Sequence, residues 1–305
     1  MSPAGVCACP PTPPANDAVA QAGGLRHGST RAPMQGAAWG PLRREWTKLL
    51  FQRRSYLIWA GAFLLPFLIG LVAWLSTAPS GGEMGIVGRV FGNGLYLPVA
   101  ALFLLITMML PLAAAMVGGS TIAGEAELGT LRMMLLRPVG RGSVVLAKWL
   151  AAVLYLALGA GLMLASGLIF GGVFFGLQPM VTLSGSTIGV AHGLGLTLLA
   201  YLFGLVAMTT MVSLAVLFST VTDSSLTALI ATFIVYIVIQ VLTSFSYFDW
   251  LIPYVFPTYF GDFINLFRDP IAWRPILKAL LVFVLWSVGL TAVAGLHFRR
   301  KDVLS

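Results

Sequence analysis

The chain carries very few charged residues. Asp, Glu, Lys and Arg make up 9% of its 305 residues, whereas a soluble domain carries about 25%. So few charges cannot cover a surface that faces water on all sides. A mean hydropathy of +0.93 and a hydrophobic content of 58% agree with this. The composition excludes a soluble enzyme and a disordered chain as the main interpretation, and it indicates a polytopic membrane protein.

Residues that carry chemistry are also scarce. Two cysteines, Cys7 and Cys9, cannot build a disulfide scaffold and are too few for a tetrahedral zinc site. The three histidines are too scattered to form a metal-binding pair. Each of the four lysines follows Thr, Ala, Leu or Arg, never the glycine that precedes lysine in a phosphate-binding loop. We therefore expect no catalytic residue, no metal, no cofactor and no ATPase site in this chain.

Long runs without charge predict the membrane spans. One Lys, Arg or Asp at the centre of a bilayer costs about 2.5–3.5 kcal/mol, and about 20 helical residues cross the hydrocarbon core. The sequence predicts an all-α fold with six transmembrane helices, at about residues 56–75, 95–117, 143–173, 189–217, 224–245 and 278–298.

Details within and between these spans give further expectations. Pro111 predicts a kink in the second span. A cluster of Gly, Pro, Ser and Thr at residues 176–187 predicts a turn between the third and fourth spans. No predicted span contains an acidic residue, so the usual signature of a proton relay is missing. Glu125 and Asp223 lie near span ends, where we expect them to face water.

The positive charges lie mainly on one side of the predicted topology. Fourteen of the 18 Lys and Arg residues precede the first span, lie between the second and third spans or near the start of the third, or follow the sixth, which leaves the whole formal charge of +8 on that face. The positive-inside rule makes this face cytoplasmic and places both termini there. We expect a multi-pass protein of the plasma (bacterial inner) membrane that contacts anionic lipids, and no binding of nucleic acid.

The segments before the first span differ in character. Residues 1–38 are rich in Pro, Gly and Ala without periodicity and predict a disordered tail, so the membrane domain spans residues 39–305. Residues 39–54 predict an amphipathic helix in the interface, with an apolar face that includes Trp46 and a basic face that includes Arg43, Arg44 and Lys48. A plain basic anchor without a partner is the alternative.

The loop between the second and third spans is the most informative segment. Gly129 is suited to end one helix, Thr130 to begin the next, and Pro138 to limit the length of that second helix. Apolar residues lie on one stripe, while Glu125, Glu127, Arg132, Arg137 and Arg141 remain for water or a partner. A helix this short is marginal by itself, so we expect it to dock against another structure.

The order of these elements resembles the type-2 permease family of ATP-binding-cassette (ABC) exporters. The resemblance rests on the basic amphipathic helix, two spans, the segment Gly-Glu-x-Glu-x-Gly-Thr-Leu-Arg…Leu-Leu-Arg-Pro-Val-x-Arg and the closing Phe-Arg-Arg-Lys-Asp. It implies that residues 39–54 form the elbow helix, whose marked positions are Arg43, Arg44, Trp46 and Lys48. It also implies a short cytoplasmic coupling helix that contacts a separate ATPase subunit. The positions that match this coupling segment are Glu125, Glu127, Gly129, Thr130, Leu131, Arg132, Arg137, Pro138 and Arg141.

The resemblance also implies partners and a function. A second permease chain, in a homodimer, and two ATPase subunits that carry MgATP would complete the transporter. The cargo would be hydrophobic or amphipathic, since the spans are apolar with scattered hydroxyls such as Ser166, Thr197, Thr210, Ser213 and Thr232. The alternatives are a passive channel or anchor subunit without an ATPase, and a membrane-embedded enzyme.

Two further patterns leave alternatives open. Small-residue spacings such as Gly167-x-x-x-Gly171, Gly185-x-x-x-Gly189 and Gly189-x-x-x-Gly193 permit close helix packing, but glycine-rich helices also produce them by chance, which we favour for any single one. Residues 246–275 are rich in aromatics and interrupted by prolines. They predict short interfacial or re-entrant helices that act either as an aromatic belt or as a lid over the exit of a transport path.

Overall fold

The computed structural model describes residues 53–75, 92–129 and 141–300, without the side chains of residues 53–55, 57, 141 and 300. The predicted tail over residues 1–38 lies outside these ranges. So does nearly all of the predicted elbow helix, with Arg43, Arg44, Trp46 and Lys48. These expectations stay predictions.

The described chain is mostly helical. Its α-helices are α1 Arg53–Leu75, α2 Tyr96–Leu105, α3 Met109–Gly119, α4 Ala123–Glu127, α5 Arg141–Phe175, α6 Val190–Val221, α7 Ser225–Leu242 and α8 Trp273–Arg300. Two short strands, β1 Met180–Val181 and β2 Thr187–Ile188, pair antiparallel with Met180 opposite Ile188. Three 3-10 helices, Ser246–Phe248, Ile252–Tyr254 and Phe256–Phe267, join α7 to α8.

Five helices in the described ranges, α1 and α5 to α8, are long and apolar enough to cross a membrane. The pair α2 and α3 adds a sixth crossing if it counts as one span, although the two helices meet at an angle of 62°. These features confirm a polytopic α-helical membrane protein. The strands of the hairpin, β1 and β2, lie in the segment where the sequence predicts a turn.

Helix α6 lies at the centre of the bundle. It packs against α3, α5, α7 and α8, and α5 packs in turn against α1. Along α6, residues such as Ala200, Met211 and Val212 are fully buried. Small and flexible side chains at these positions let the neighbouring helices approach closely, which is how membrane helices gain packing energy when lipid is as apolar as the protein.

The break between α2 and α3 has a clear chemical cause. Pro111 has no N–H group, so the carbonyl oxygen of Thr107, four residues earlier, loses its helical hydrogen-bond donor. The hydroxyl of Tyr236, a buried residue of α7, donates to that carbonyl oxygen instead. The side chain of Gln240 donates to the same Tyr236 oxygen at 3.1 Å. The kink expected at Pro111 is therefore present, and α7 supplies the hydrogen bond that the proline removes.

One end of the bundle, which we call the hairpin end, is formed by the start of α2, the last turn of α5, the strands and the 3-10 helices. The Gly94 amide donates to the Gly176 carbonyl at 2.9 Å, and Leu183 donates to the Phe267 carbonyl at 2.9 Å. The side-chain amide of Asn93 donates to the backbone carbonyl of Gln178 at 2.7 Å. These bonds tie the hairpin end together.

Glycines allow two segments to touch at the hairpin end. A methyl group at Gly171 of α5 would overlap the backbone oxygen of Gly94, and one at Gly167 would press on Pro98 of α2. Our preference for a chance spacing was therefore wrong for Gly167 and Gly171. A chance spacing does agree with the surroundings of Gly185 and Gly189, because a methyl group at either position would meet no neighbour within 4 Å.

We expect Gly171→Ala to destabilise the protein by about 1–3 kcal/mol or more, because the added methyl group meets backbone that has no room to move. Gly172→Ala is the matched control, since its methyl group would lie 3.7 Å from the flexible side chain of Leu177. Unfolding of the purified variants in detergent measures the difference. Equal stability of the two variants would contradict the close contact between α2 and α5.

Candidate functional site

The short helix α4 lies at the opposite end of the bundle, which we call the α4 end. It follows α3 directly, and the chain enters α5 at the same end. The last turn of α6 and the first turn of α7 also lie here, as the hydrogen bonds described below require. This is the region in which the sequence predicts coupling residues.

A buried ion pair joins α4 to α5. The Nζ atom of Lys148 lies 2.9 Å from Oε1 of Glu125, and the two side chains are 1% and 8% exposed. Lys148 also donates to the backbone carbonyl of Thr121 at 2.8 Å. Removing one partner of such a pair leaves an uncompensated charge away from water, which typically costs about 3–5 kcal/mol.

The burial of Glu125 corrects our expectation that this residue faces water. Its position near the end of a predicted span is right, but Lys148 of α5 provides a counter-charge inside the bundle. Asp223, for which we made the same prediction, is exposed as expected.

Ser219 of α6 fastens the junction between α3 and α4. Its Oγ atom accepts hydrogen bonds from the backbone amides of Ile122 and Ala123, at 3.0 and 2.8 Å. The same hydroxyl donates to the carbonyl of Gly119 at 2.8 Å. One buried side chain therefore satisfies the unpaired groups at the end of one helix and at the start of the next.

Glu127 links α4 to α7. Its Oε2 atom accepts hydrogen bonds from the hydroxyl and the backbone amide of Ser225, at 2.8 and 3.3 Å. A carboxylate at the first turn of a helix is also favoured by the helix dipole. Through Lys148, Ser219 and Ser225, α4 is fastened to three different helices.

The helical conformation ends immediately after α4. Gly129 has a φ of +67°, a left-handed conformation that glycine adopts at little cost. Its amide donates to the carbonyl of Ala126 at 3.0 Å, so Gly129 ends this helix as the sequence predicts. Leu128 beside it is 70% exposed. The arrangement presents an apolar side chain on a short, firmly held helix.

Comparison with known proteins defines the family. The family model described as "ABC-2 family transporter protein" matches residues 15–303, nearly the whole chain. This chain belongs to the ABC-2 transporter family.

Two curated relatives of this ABC-2 chain are each described as a probable ABC transporter permease protein NosY. The one from Stutzerimonas stutzeri is 32% identical over 120 residues, which cover 39% of this chain and 40% of the relative. The one from Pseudomonas aeruginosa strain PAO1 is 37% identical over 87 residues, which cover 28% and 29%. The matches thus span two fifths or less of these relatives. Family membership makes the chain a transmembrane subunit of an ABC transporter.

The structure places three of the predicted coupling residues of this ABC-2 chain together. Glu125, Glu127 and Gly129 lie in or directly after α4. Arg141 is the first residue of α5, and its side chain is outside the description. The other predicted coupling residues, Thr130, Leu131, Arg132, Arg137 and Pro138, lie outside the described residues.

Sequence reasoning missed the three residues that hold α4 in place, Lys148, Ser219 and Ser225. A signal for Lys148 was available, because it interrupts an apolar run inside the predicted third span. An ionisable residue within a span calls for a buried partner, and Glu125 is a nearby acid on the same side of the predicted topology. Ser219 gave no comparable signal, since a serine in a membrane helix is common.

The hydroxyls that the sequence places in the apolar spans lie in the bundle interior. Ser166, Thr197, Thr210, Ser213 and Thr232 are all buried within the chain. Each donates a hydrogen bond to a carbonyl of its own helix, at 2.6 to 3.0 Å. These hydroxyls are therefore satisfied within their own helices.

The aromatic segment between α7 and α8 covers the hairpin end. Phe256, Phe260 and Phe263 are buried, and the Phe260 ring lies 6.0 Å from that of Phe283 in α8. Burial raises the pKa of Asp262 in this segment, and the positive charge of Lys278 partly opposes that shift. Short helices in this segment agree with the sequence expectation, and both the belt and the lid interpretation remain predictions.

We expect Lys148→Met to destabilise the ABC-2 chain by about 3–5 kcal/mol, because it removes the positive charge that lies 2.9 Å from the buried Glu125 carboxylate. The double variant Glu125→Leu with Lys148→Met should recover most of this loss, since it removes both charges. Equilibrium unfolding in detergent measures the free energies of unfolding.

Lys278→Met is the control, since this lysine is exposed and lies 5.4 Å from the centre of the Tyr259 ring. It should cost about 1 kcal/mol or less. If the double variant lost as much stability as Lys148→Met and Glu125→Leu lose in sum, the two charges would not be coupled.

Proposed function

We propose that this chain is the permease subunit of an ABC exporter that moves a hydrophobic or amphipathic substrate with energy from ATP. A separate ATPase subunit hydrolyses the ATP and binds the permease at the α4 end. Two copies of the chain and two ATPase subunits form the transporter. The observation that carries the proposal is the attachment of α4 to three helices beside an exposed apolar side chain.

The attachments make α4 suited to transmit movement. A displacement of α4 acts on α5 through Lys148, on α6 through Ser219 and on α7 through Ser225. Leu128 and the chain that follows provide the surface on which a partner acts. Membership of the ABC-2 family supports a partner that changes shape with nucleotide. The binding and release of ATP would then bias the bundle between two arrangements.

The distribution of charge supports a cytoplasmic location for the α4 end. The segment between α4 and α5 contains Arg132 and Arg137, while Arg141 lies at the start of α5 and Arg299 at the end of α8. Cytoplasmic loops of membrane proteins are enriched in such residues. An ATPase can reach the α4 end only from the side that contains ATP, so the charge pattern and the coupling role agree.

The chemistry of the cargo follows from the bundle. The hydroxyls buried inside the chain are already bonded to the chain's own carbonyls. This leaves apolar surface to contact a substrate that passes along or between the two copies. We therefore propose a hydrophobic or amphipathic substrate and export as the direction of transport.

We expect Leu128→Asp to weaken binding of the ATPase subunit and to lower substrate-stimulated ATP hydrolysis, by at least tenfold if Leu128 is a central contact. The chain should still fold, because the Leu128 side chain is 70% exposed. Tyr247→Asp, at a residue of the hairpin end that is 84% exposed, is the matched control and should leave both properties unchanged. Wild-type ATPase binding by Leu128→Asp would remove α4 from the interface.

Purification of the tagged full-length chain in mild detergent tests the wider proposal. We expect a second subunit of ATPase size to co-purify and the complex to hydrolyse MgATP. A chain that purifies alone yet conducts ions or solutes would favour a passive channel. Hydrolysis or acyl transfer by the chain alone would favour a membrane-embedded enzyme.

A further inference from the structure

A groove runs along the side of the bundle between α5, α6 and α8. Its volume is about 730 Å³, within the range of about 300–1,000 Å³ that small-molecule sites occupy. Exposed side chains form its rims, such as Leu146 of α5 and Val288 and Leu296 of α8. These helices are long and apolar enough to cross the membrane, so the groove opens toward the bilayer or a neighbouring chain.

The polar groups along the floor of the groove are already used in hydrogen bonds. The Thr209 hydroxyl donates to a carbonyl of its own helix at 2.6 Å, so the Ser287 hydroxyl 2.8 Å away donates to Thr209. Beneath the floor, Ser213 accepts hydrogen bonds from Trp149 at 2.8 Å and from Thr291 at 3.1 Å. Because these donors are satisfied by the protein, the groove offers an apolar surface to a ligand.

The length of the groove matches one leaflet of a bilayer. From Val284 to Arg299, which both line it, α8 rises about 22 Å. Half of a bilayer with its headgroup region measures about 20–22 Å. Arg299 is exposed and lies at the α4 end of the groove. Among the described residues that line the groove, it is the one with a charged side chain. Its guanidinium would therefore lie at headgroup depth.

We propose that this groove binds one acyl chain of an anionic phospholipid from the surrounding bilayer, with the lipid phosphate at Arg299. The guanidinium is suited to a phosphate because its planar N–H groups donate in pairs. The apolar walls provide the contacts for the acyl chain. Binding requires neither ATP nor transport, so it stands independently of the proposed coupling role.

The glycines of α8 make a selective test possible. A methyl group at Gly295, which lines the groove, would meet no atom within 4 Å. Gly295→Leu should therefore fill the groove without a clash in the backbone. Gly289 lies in the same helix, has the same open surroundings and is not among the residues that line the groove. Gly289→Leu is the matched control.

The experiment adds dioleoylphosphatidylglycerol or dioleoylphosphatidylcholine to the delipidated full-length protein and counts bound lipids by native mass spectrometry. The wild type and Gly289→Leu should bind one phosphatidylglycerol more tightly than phosphatidylcholine. Gly295→Leu should lose this lipid. Arg299→Gln, a change at an exposed side chain, should weaken phosphatidylglycerol binding about fivefold and leave phosphatidylcholine binding unchanged.

Three results would overturn the proposal. The wild type could bind both lipids equally, which would remove the role of Arg299. Gly295→Leu could retain phosphatidylglycerol at the wild-type level. The same variant could separate a dimer into monomers while phosphatidylglycerol stays bound, which would make the groove an interface between two copies of the chain.

Discussion

The α4 end depends on the ion pair between Glu125 and Lys148. Both charges are buried, and the 2.9 Å distance between them is what makes their burial tolerable, because an isolated charge in this position would cost several kcal/mol. The pair therefore permits only arrangements in which α4 stays against α5. Any motion that separated the two helices would expose or strand a charge. The start of α5 and the whole of α4 are thus constrained to move together.

The other attachments of α4 extend this constraint across the bundle. Helices in a membrane gain little from apolar burial alone, since lipid is equally apolar, so hydrogen bonds and close packing decide which helices stay together. Ser219 bonds both the end of α3 and the start of α4, and Glu127 bonds the start of α7. At the hairpin end the links are of another kind, with glycine contacts and backbone hydrogen bonds between α2, α5 and the strands. Each end is held by its own set of interactions.

The sequence predicted the features that follow from composition and from local chemistry. Charge-free runs indicated the membrane helices, Pro111 indicated the kink, and Gly129 indicated the end of α4, because each depends on a residue and its near neighbours. Features that depend on residues distant in sequence were not predicted. Lys148 lies 23 positions after Glu125, and Ser219 lies 97 positions after Ile122. Neither distance follows from periodicity. The spacing Gly167-x-x-x-Gly171 does not predict the contact with Gly94 for the same reason, since a spacing within one helix does not identify a partner in another.

The break between α2 and α3 separates the interactions at the α4 end from those at the hairpin end. A continuous helix over these residues would be stiff and would carry a displacement of α4 directly to the hairpin end, because each turn would be bonded to the next. The absence of an amide at Pro111 interrupts that series, and the chain bends by 62° at this point. Tyr236 of α7 donates a hydrogen bond to the Thr107 carbonyl, which Pro111 leaves without a helical donor. Helix α3 packs mainly against α6 and α7, whereas α2 packs mainly against α5. In the proposed mechanism, movement that begins at α4 reaches the hairpin end through α5, α6 and α7, and the bend lets α2 keep its glycine contact while α3 shifts.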